Sequence, residues 1–472
     1  MISKKTEVFI SMIIVIISTI MAFYVGNNVK HNGYNNLFLL PLLFGVMYVI
    51  FISPIRRRLN NIFIHIFIVV SFTRYIVLPY LIVSTGFYGG RSSVAPQNES
   101  FLKAINLMSY ELIIVSFFVY IIFRKYKNNN SNNEIITILP KSNFLYVIFI
   151  STSLLLGLLF PQSLRSFGFL KVPTGLLDLG ESSIIISIIT YSLVVTKFLI
   201  FILAMSFIHK KYLKNKLPIY VFISLFLVLF SMSIFFGDNR SDFIITSIAS
   251  VLLFYRLYPH TIKYTIVPLG VFSLIILSSL NDYRGNVTVT GGGNELLDLT
   301  GNLQVYLAGP YNVAIAIEAA ELNEIEGNVL HLVHELLRPV MGLNIFLKEI
   351  DIKPSSSYFN ERIFFNDHIS QIMPMIGQGY FYLGFLLAPT ITILYLLLVK
   401  FLIIVRDKEK RIEIIFFFGI TIARMGFVTV QNGSILANDA SFFLFLFLII
   451  YYFNEKFVLR KKETSYKTHY KK

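Results

Sequence analysis

Runs of about 18 to 25 mostly apolar residues recur along almost the whole chain, and they constrain its fold more than any other feature. A helix of that length crosses a bilayer core of about 30 Å. Charged residues make up only 14% of the 472 residues, compared with about 25% in typical soluble domains. The sequence therefore predicts an all-α, polytopic membrane protein, with residues 1–472 forming one integral membrane domain. It argues against a soluble, disordered or collagen-like chain.

Twelve apolar runs are candidate transmembrane helices. They are Val8–Val25, Leu37–Ser53, Ile62–Val83, Ala104–Phe123, Phe144–Phe160, Ile184–Ile208, Leu217–Phe236, Phe243–Tyr258, Tyr264–Leu280, Met373–Ile404, Ile412–Val430 and Ala440–Phe453. Lys4 and Lys5 precede the first run as in a signal peptide, but that run is longer than a usual signal-peptide core and no small-residue cleavage site follows it. We therefore expect a retained first helix.

Basic residues are distributed unevenly between alternate loops. With the N-terminus in the cytoplasm, 27 of the 41 Lys and Arg residues fall on the cytoplasmic side. Because cytoplasmic loops are enriched in Lys and Arg, we expect about twelve spans, both termini inside, and a basic cytoplasmic tail at residues 454–472. The net charge of +15 is then largely a matter of topology, and no nucleic-acid partner is expected.

One connection is much longer than the others. Residues 281–372 lie on the outer side between the predicted ninth and tenth spans, and loops of this length are usually functional or disordered. The connection begins with Gly291–Gly293, which lacks the lysine and the flanking strand of a phosphate-binding loop and is interpreted as a hinge. Helix-compatible, partly apolar stretches follow at 303–322 and 328–337. We expect an external loop subdomain that carries most of the chemistry outside the spans.

Motifs of common soluble enzyme classes are missing from the sequence. It contains no G-x-x-x-x-G-K-[ST], H-E-x-x-H or G-x-S-x-G, so ATP hydrolysis, zincin proteolysis and serine-hydrolase chemistry have no support. The chain also has no cysteine, which excludes thiolate metal ligands and cysteine nucleophiles. We expect neither a cofactor nor a metal ion.

Several charged residues fall within predicted spans, among them Arg74, Glu111, Lys197 and Arg424. An ionisable residue at that depth is a functional hypothesis by default, because leaving its charge unpaired is costly. Arg74 and Glu111 lie on sequential helices, so mutual pairing and a functional role are equally open. Lys197 is either a substrate contact or a buried partner. Arg424 lies towards the outer end of its span and fits a group that faces an external cavity.

Two outer turns place arginine beside acidic residues. The turn at 237–243 reads GDNRSDF and is either a solvated hairpin or an anion site. In the second case Arg240 binds phosphate oxygens and the N-terminus of the next helix adds backbone N–H groups. Arg284 opens the long connection at a similar depth and is a candidate second guanidinium.

A cluster of polar residues lies within the long connection. His331, His334, Glu335 and Arg338 are three or four residues apart, so they share one helical face. Their order matches no metalloprotease signature. The face is either the solvated side of an amphipathic helix or a catalytic pair, in which His334 or Glu335 takes a proton while Arg338 holds an anionic group.

The outer side thus collects four arginines: Arg240, Arg284, Arg338 and Arg424. A lipid-linked diphosphate substrate needs such residues, because guanidinium groups stabilise the charge that develops on a diphosphate leaving group. A nearby base would activate an acceptor hydroxyl. Such a reaction needs no ATP, since the diphosphate ester is already activated.

Three stretches resemble the Wzy-type oligosaccharide repeat-unit polymerases of O-antigen and capsule assembly. They are GDNRSDFI at 237–244, VYLAGPYNVAIA at 305–316 and GQGYFYLGFLLAP at 377–389. The number of spans and the late outer loop are also similar to that family, and the resemblance covers mainly residues 230–400.

The resemblance implies a multi-pass enzyme of the bacterial cytoplasmic membrane. Such an enzyme transfers a growing glycan from one undecaprenyl diphosphate to another lipid-linked repeat unit, without a metal ion. Arg240 occupies the position of the family-like arginine. Membrane lipid and a chain-length regulator are the further partners that the resemblance suggests.

The main alternative is a flippase that transports lipid-linked repeat units. Flippases generally have short loops and a two-lobed repeat, whereas this sequence has a long outer connection and no internal repeat. A membrane acyltransferase would need a histidine well inside the bilayer. His65, the histidine within a predicted span, lies close to the cytoplasmic end.

Overall fold

A computed structural model describes most of the chain. The described ranges are 4–59, 61–92, 94–126, 143–170, 184–236, 240–261, 263–265, 267–271, 294–323, 328–347, 349–364 and 371–456. The predicted ninth span and the cytoplasmic tail lie mostly outside these ranges. Within them the chain is mainly helical, with one two-stranded antiparallel sheet.

The helices fall into three consecutive stretches of sequence. The first stretch contains α1 Lys4–Asn28, α2 Leu39–Met47, α3 Ser53–Arg58, α4 Ile62–Phe72, α5 Leu78–Thr85 and α6 Asn98–Phe123. The second contains α7 Phe144–Leu159, α8 Ile184–Asn215, α9 Pro218–Ser233 and α10 Arg240–Leu257. The third contains α11 Glu295–Tyr306, α12 Pro310–Leu322, α13 Val329–Leu337, α14 Asn344–Leu347, α15 Ser355–Phe364, α16 Met375–Leu387, α17 Thr390–Lys408, α18 Ile412–Arg424 and α19 Gly433–Lys456.

The described helices confirm an all-α, polytopic membrane protein. Six helical stretches are long and apolar enough to cross a membrane: Lys5–Asn28, Asn32–Arg58, Ile62–Thr85, Asn98–Phe123, Ile185–Asn215 and Gly433–Lys456. Short π-helical turns make two of these stretches continuous by joining α2 to α3 and α4 to α5. Further apolar helices, such as α7 and α9, have only 16 residues each. By length and composition the described residues therefore provide six spans, or seven if α16 and α17 count as one.

The predicted span at 373–404 is not one straight helix. The helix axis bends by 106° between its two parts, α16 and α17. Gly384 adopts φ 69° and ψ −176°, a conformation that is essentially restricted to glycine. Pro389 lies between the two helices, and a proline lacks the backbone N–H group that would continue the hydrogen bonding of α16. The apolar run is thus a broken span or a re-entrant pair of helices.

The fold comprises two compact units. The first contains residues 1–135, 284–409 and 418–442, and α12 lies at its centre. Every residue of α12 from Pro310 to Ala320 is buried, because the helix packs against α6, α15 and α16. Small side chains permit this approach: a Cβ atom added to Gly377 would lie 2.5 Å from that of Ala316. A helix that is apolar all round belongs in a core.

The break between α11 and α12 divides the single helix-compatible stretch predicted at 303–322. Ala308 has a positive φ of 52°, which interrupts the helix directly before Gly309 and Pro310. The described parts of the long connection therefore form helices that pack into the first unit.

The second unit contains residues 136–283, 410–417 and 443–472. Its helices α7 to α10 pack in sequence order, and strand β1 Phe167–Phe169 pairs antiparallel with β2 Ile234–Phe236. Lys197 is half-buried in this unit, and its Nζ donates to the carbonyl oxygen of Ile234 at 2.5 Å. Lys197 therefore contacts the backbone beside the sheet.

Candidate functional site

Helix α13 carries the polar cluster that the sequence predicts. Asn328 begins the helix, because its side chain accepts a hydrogen bond from the backbone N–H of His331 at 2.8 Å. This position turns His334 and Glu335 towards the interior of the first unit, where they are only 7% and 4% exposed. The predicted alternative of a solvated polar face is therefore wrong for these two residues.

Glu335 is the centre of a buried hydrogen-bond network. Its carboxylate accepts from the backbone N–H of Ser355 at 2.7 Å, from Ser355 Oγ at 3.0 Å and from Gln378 Nε2 at 2.7 Å. Tyr382 Oη and Ser434 Oγ also donate to it. An ionised carboxylate accepts only, and here both oxygens are engaged. Glu335 thus ties α13 to α15, α16 and α19.

His334 has a different environment. Its Nε2 atom lies 3.1 Å from the carbonyl oxygen of Leu347. Because a carbonyl only accepts, Nε2 carries the proton and Nδ1 is the basic nitrogen of the neutral ring. The contact with Leu347 thus leaves the Nδ1 lone pair of His334 unengaged. Both carboxylate oxygens of Glu335, in contrast, already accept hydrogen bonds.

Arg338 follows α13 and is half-buried. Its Nη1 donates to the carbonyl oxygen of Ile352 at 3.4 Å. Within the described ranges no carboxylate lies within ion-pair distance of Arg338. Its charge is therefore balanced only by neutral oxygen atoms in this part of the structure.

The other predicted arginines are placed differently. Arg424 is 2% exposed and forms an ion pair with Asp439. Arg240 begins α10, but its side chain, like the whole of Arg284, lies outside what the structure describes. The structure thus describes the side chains of two of the four predicted arginines, Arg338 and Arg424.

The buried pair that the sequence left open is formed. Arg74 Nη1 lies 2.9 Å from Glu111 Oε2, and both side chains are completely buried. Arg74 also donates to the carbonyl oxygens of Thr429 at 2.8 Å and Ala308 at 3.2 Å. Arg74 therefore connects α6, the turn before α12 and the end of α18, which is a structural role.

Sequence reasoning missed Arg91, in the connection between α5 and α6. Its Nη2 donates to Asn302 Oδ1 at 3.2 Å and its Nη1 to Gln371 Oε1 at 3.3 Å. Its Nε is buried without a hydrogen-bond partner. Among the described residues Arg91 has no carboxylate within ion-pair distance, so two side-chain amides orient the guanidinium without neutralising it.

The surroundings of Arg91 keep its connection close to the first unit's core. Gly90 lies against the ring of Tyr311, where a Cβ atom would overlap the ring. Burial raises the pKa of Tyr311, and the nearby Arg362 opposes this rise. Unlike Arg91, Arg362 forms an ion pair with Glu318. A Gly-Gly-Arg sequence in the short connection between two apolar runs is the signal that could have indicated Arg91.

A scan against protein-family models, a search of curated proteins and a search of solved structures each found no match for this chain. The chemistry of the site therefore has to be argued from its own residues.

These residues favour anion binding. Among the described residues, no group of three or more His, Asp or Glu side chains has a geometry suitable for a metal ion. Arg91 and Arg338 both contact the segment 294–371 through neutral oxygen atoms. Guanidinium groups of this kind keep their charge at any physiological pH and match the geometry of phosphate oxygens.

Proposed function

We propose that the protein is a membrane glycosyltransferase that joins undecaprenyl-diphosphate-linked oligosaccharide repeat units into a capsular or O-antigen polysaccharide. The reaction takes place on the outer face of the bacterial cytoplasmic membrane. We also propose a topology with about twelve spans, both termini in the cytoplasm, and residues 281–372 on the outer side. The observation that carries the proposed activity is the pair of arginines, Arg91 and Arg338, whose charge no described carboxylate neutralises.

A diphosphate leaving group is the substrate feature that suits these arginines. In the proposed step, an acceptor hydroxyl oxygen attacks the anomeric carbon of the donor glycan. The bond from that carbon to the diphosphate oxygen breaks, and undecaprenyl diphosphate leaves with the bonding electrons. Arginine stabilises the negative charge that develops on it. Arg338 and Arg91 fill this role, together with the predicted Arg240 and Arg284, whereas the charge of Arg424 is already paired with Asp439.

The acceptor hydroxyl must lose its proton in this step. Glu335 already accepts hydrogen bonds from Ser355, Gln378 and Tyr382, so it is better suited to positioning than to proton transfer. His334 donates a hydrogen bond from Nε2 to the carbonyl oxygen of Leu347, so its Nδ1 atom is available as a base. We therefore assign proton abstraction to His334, with Glu335 as the residue that positions its helix.

The broken helix pair supports a buried polar site in this unit. Irregular backbone at membrane depth is tolerated only where protein or a water-filled cavity surrounds it. Gln378 and Tyr382 lie on α16, ahead of the break, and both donate to Glu335. Polar side chains of the bent helix thus face α13 at Glu335.

The proposal is tested with variants that remove one guanidinium at a time. We expect Arg338→Ala and Arg91→Ala each to lower the rate of chain extension about 100-fold or more, as loss of one transition-state donor does. Single repeat units should still reach the cell surface. Polysaccharide length is measured by gel electrophoresis of surface material from producing cells.

Lys103→Ala is the matched control, because it removes a basic side chain that is 51% exposed and pairs with Glu321. It should leave the chain-length ladder unchanged. Normal ladders from both arginine variants would contradict the proposal. Loss of surface repeat units together with the ladder would favour a flippase.

A further inference from the structure

Helix α13 turns polar side chains inward and apolar side chains outward, which is the reverse of a helix packed on the core of a water-soluble protein. Its inner face carries the buried residues His334 and Glu335. Its outer face is apolar, and Leu330 is 79% exposed there. Val329, Val333 and Leu337 are exposed beside it. Exposed apolar surface of this extent on an otherwise folded protein marks a contact site.

The exposed apolar surface continues beyond the helix. Leu343, Phe346 and Ile350 follow in the next turns, and Phe346 is 74% exposed. We call the exposed apolar side chains of this stretch the apolar ledge: Val329, Leu330, Val333, Leu337, Leu343, Phe346 and Ile350. Within the described ranges no other part of the protein covers these side chains.

Contacts with α19 define the depth of the ledge. Ser434, at the beginning of this candidate span, donates to the backbone oxygen of Glu335 at 3.1 Å. Farther along, Ser441 Oγ accepts from the backbone N–H of Met341 at 3.1 Å. Ser441 lies eight residues into α19, about 12 Å along its axis at the usual helical rise. The ledge therefore runs beside the first two turns of a candidate membrane span.

We infer that the apolar ledge lies in the membrane interface, with its exposed side chains among phospholipid acyl chains. A helix with one apolar and one polar face binds at this depth because it buries the apolar face below the headgroups. The polar face of α13 turns into the protein instead of into water, where Glu335 holds it on α16 and α19. The partner is thus the bilayer itself. This inference stands apart from the proposed catalytic activity.

The absence of tryptophan from the sequence allows a direct test. Leu330→Trp and Phe346→Trp each introduce a single reporter at an exposed position. Each variant is reconstituted into phosphatidylcholine vesicles, and its emission is compared with that in vesicles of the dibrominated lipid. We expect emission typical of an apolar environment and a loss of at least half the intensity in brominated lipid. Asp351→Trp, at an exposed polar position just beyond the ledge, is the control and should lose less intensity than either reporter.

Two outcomes would overturn the inference. Water-exposed, unquenched emission from both reporters would show that the ledge faces solvent. Apolar emission without bromine quenching would show that protein covers it, and disulfide cross-linking of Leu330→Cys between molecules would then identify a second copy as the cover.

Discussion

Arg91 and Arg338 differ from neighbouring arginines in the atoms that face the guanidinium. Arg74 pairs with Glu111 and Arg362 pairs with Glu318, so the charges of these two neighbouring arginines are neutralised within the protein. An arginine held by amide and carbonyl oxygens retains its attraction for an external anion. The distinction separates the arginines that are paired within the protein from those proposed to bind substrate, and a count of arginines along the sequence does not show it.

The buried pair at Arg74 leads to a prediction about stability. Glu111→Ala leaves the guanidinium of Arg74 uncompensated in a completely buried site. Breaking such a pair typically costs about 3–5 kcal/mol, so the thermal unfolding midpoint in detergent should fall sharply. Glu321→Ala is the control, since its pair with Lys103 is largely exposed and should be worth about 0–1 kcal/mol. Equal midpoints for the two variants would contradict a structural role for Arg74.

The sequence shows which residues of α13 share a face but not which face is inside. Spacing correctly groups His334 with Glu335, and Asn328 begins the helix as its side chain allows. The partners that bury Glu335 come from Ser355, Gln378 and Ser434, which are distant in sequence. No local pattern could have predicted that assembly, or the two amides that orient Arg91.

At the scale of elements, the bend between α16 and α17 is the main departure from the predicted spans. Hydropathy along the sequence reports apolar content but not the direction of the helix axis, so 373–404 is predicted as one helix. The signals of the break were nevertheless present in the sequence as Gly384 and Pro389. Likewise, α7 and α9 are apolar but short, which explains why the described residues contain fewer full-length spans than predicted.

Gly379 is the position at which the bend is most sensitive to substitution. A Cβ atom there would overlap the carbonyl oxygen of Ala388, and overpacking of this kind costs about 1–3 kcal/mol or more. We therefore expect Gly379→Ala to lower the thermal unfolding midpoint and the yield of folded protein. Gly419→Ala, in α18 with open space around it, should be neutral or stabilise by about 0.5–1 kcal/mol. Unchanged stability of Gly379→Ala would show that the two helices do not approach in this way.

At the scale of the whole molecule, the placement of charge is more informative than its total. In the proposed topology, the excess of positive charge, +15, comes mainly from basic loops on the cytoplasmic side. The residues that carry the proposed chemistry are a small remainder in the first unit, around helices that pack into its core. Glu335 holds a helical part of the long connection, α13, on α16 and α19, and the proposed site lies on that helix.

The central claim is best tested with purified protein in vesicles. The donor and acceptor are one lipid-linked oligosaccharide, supplied without nucleotide and without added metal. We expect a ladder of products that lengthens by one repeat unit per step, and we expect His334→Gln to reduce its rate about 10²–10⁴-fold, as loss of a general base does. The account would be contradicted if the lipid-linked oligosaccharide crossed the bilayer but never lengthened, both with the unmodified protein and with His334→Gln.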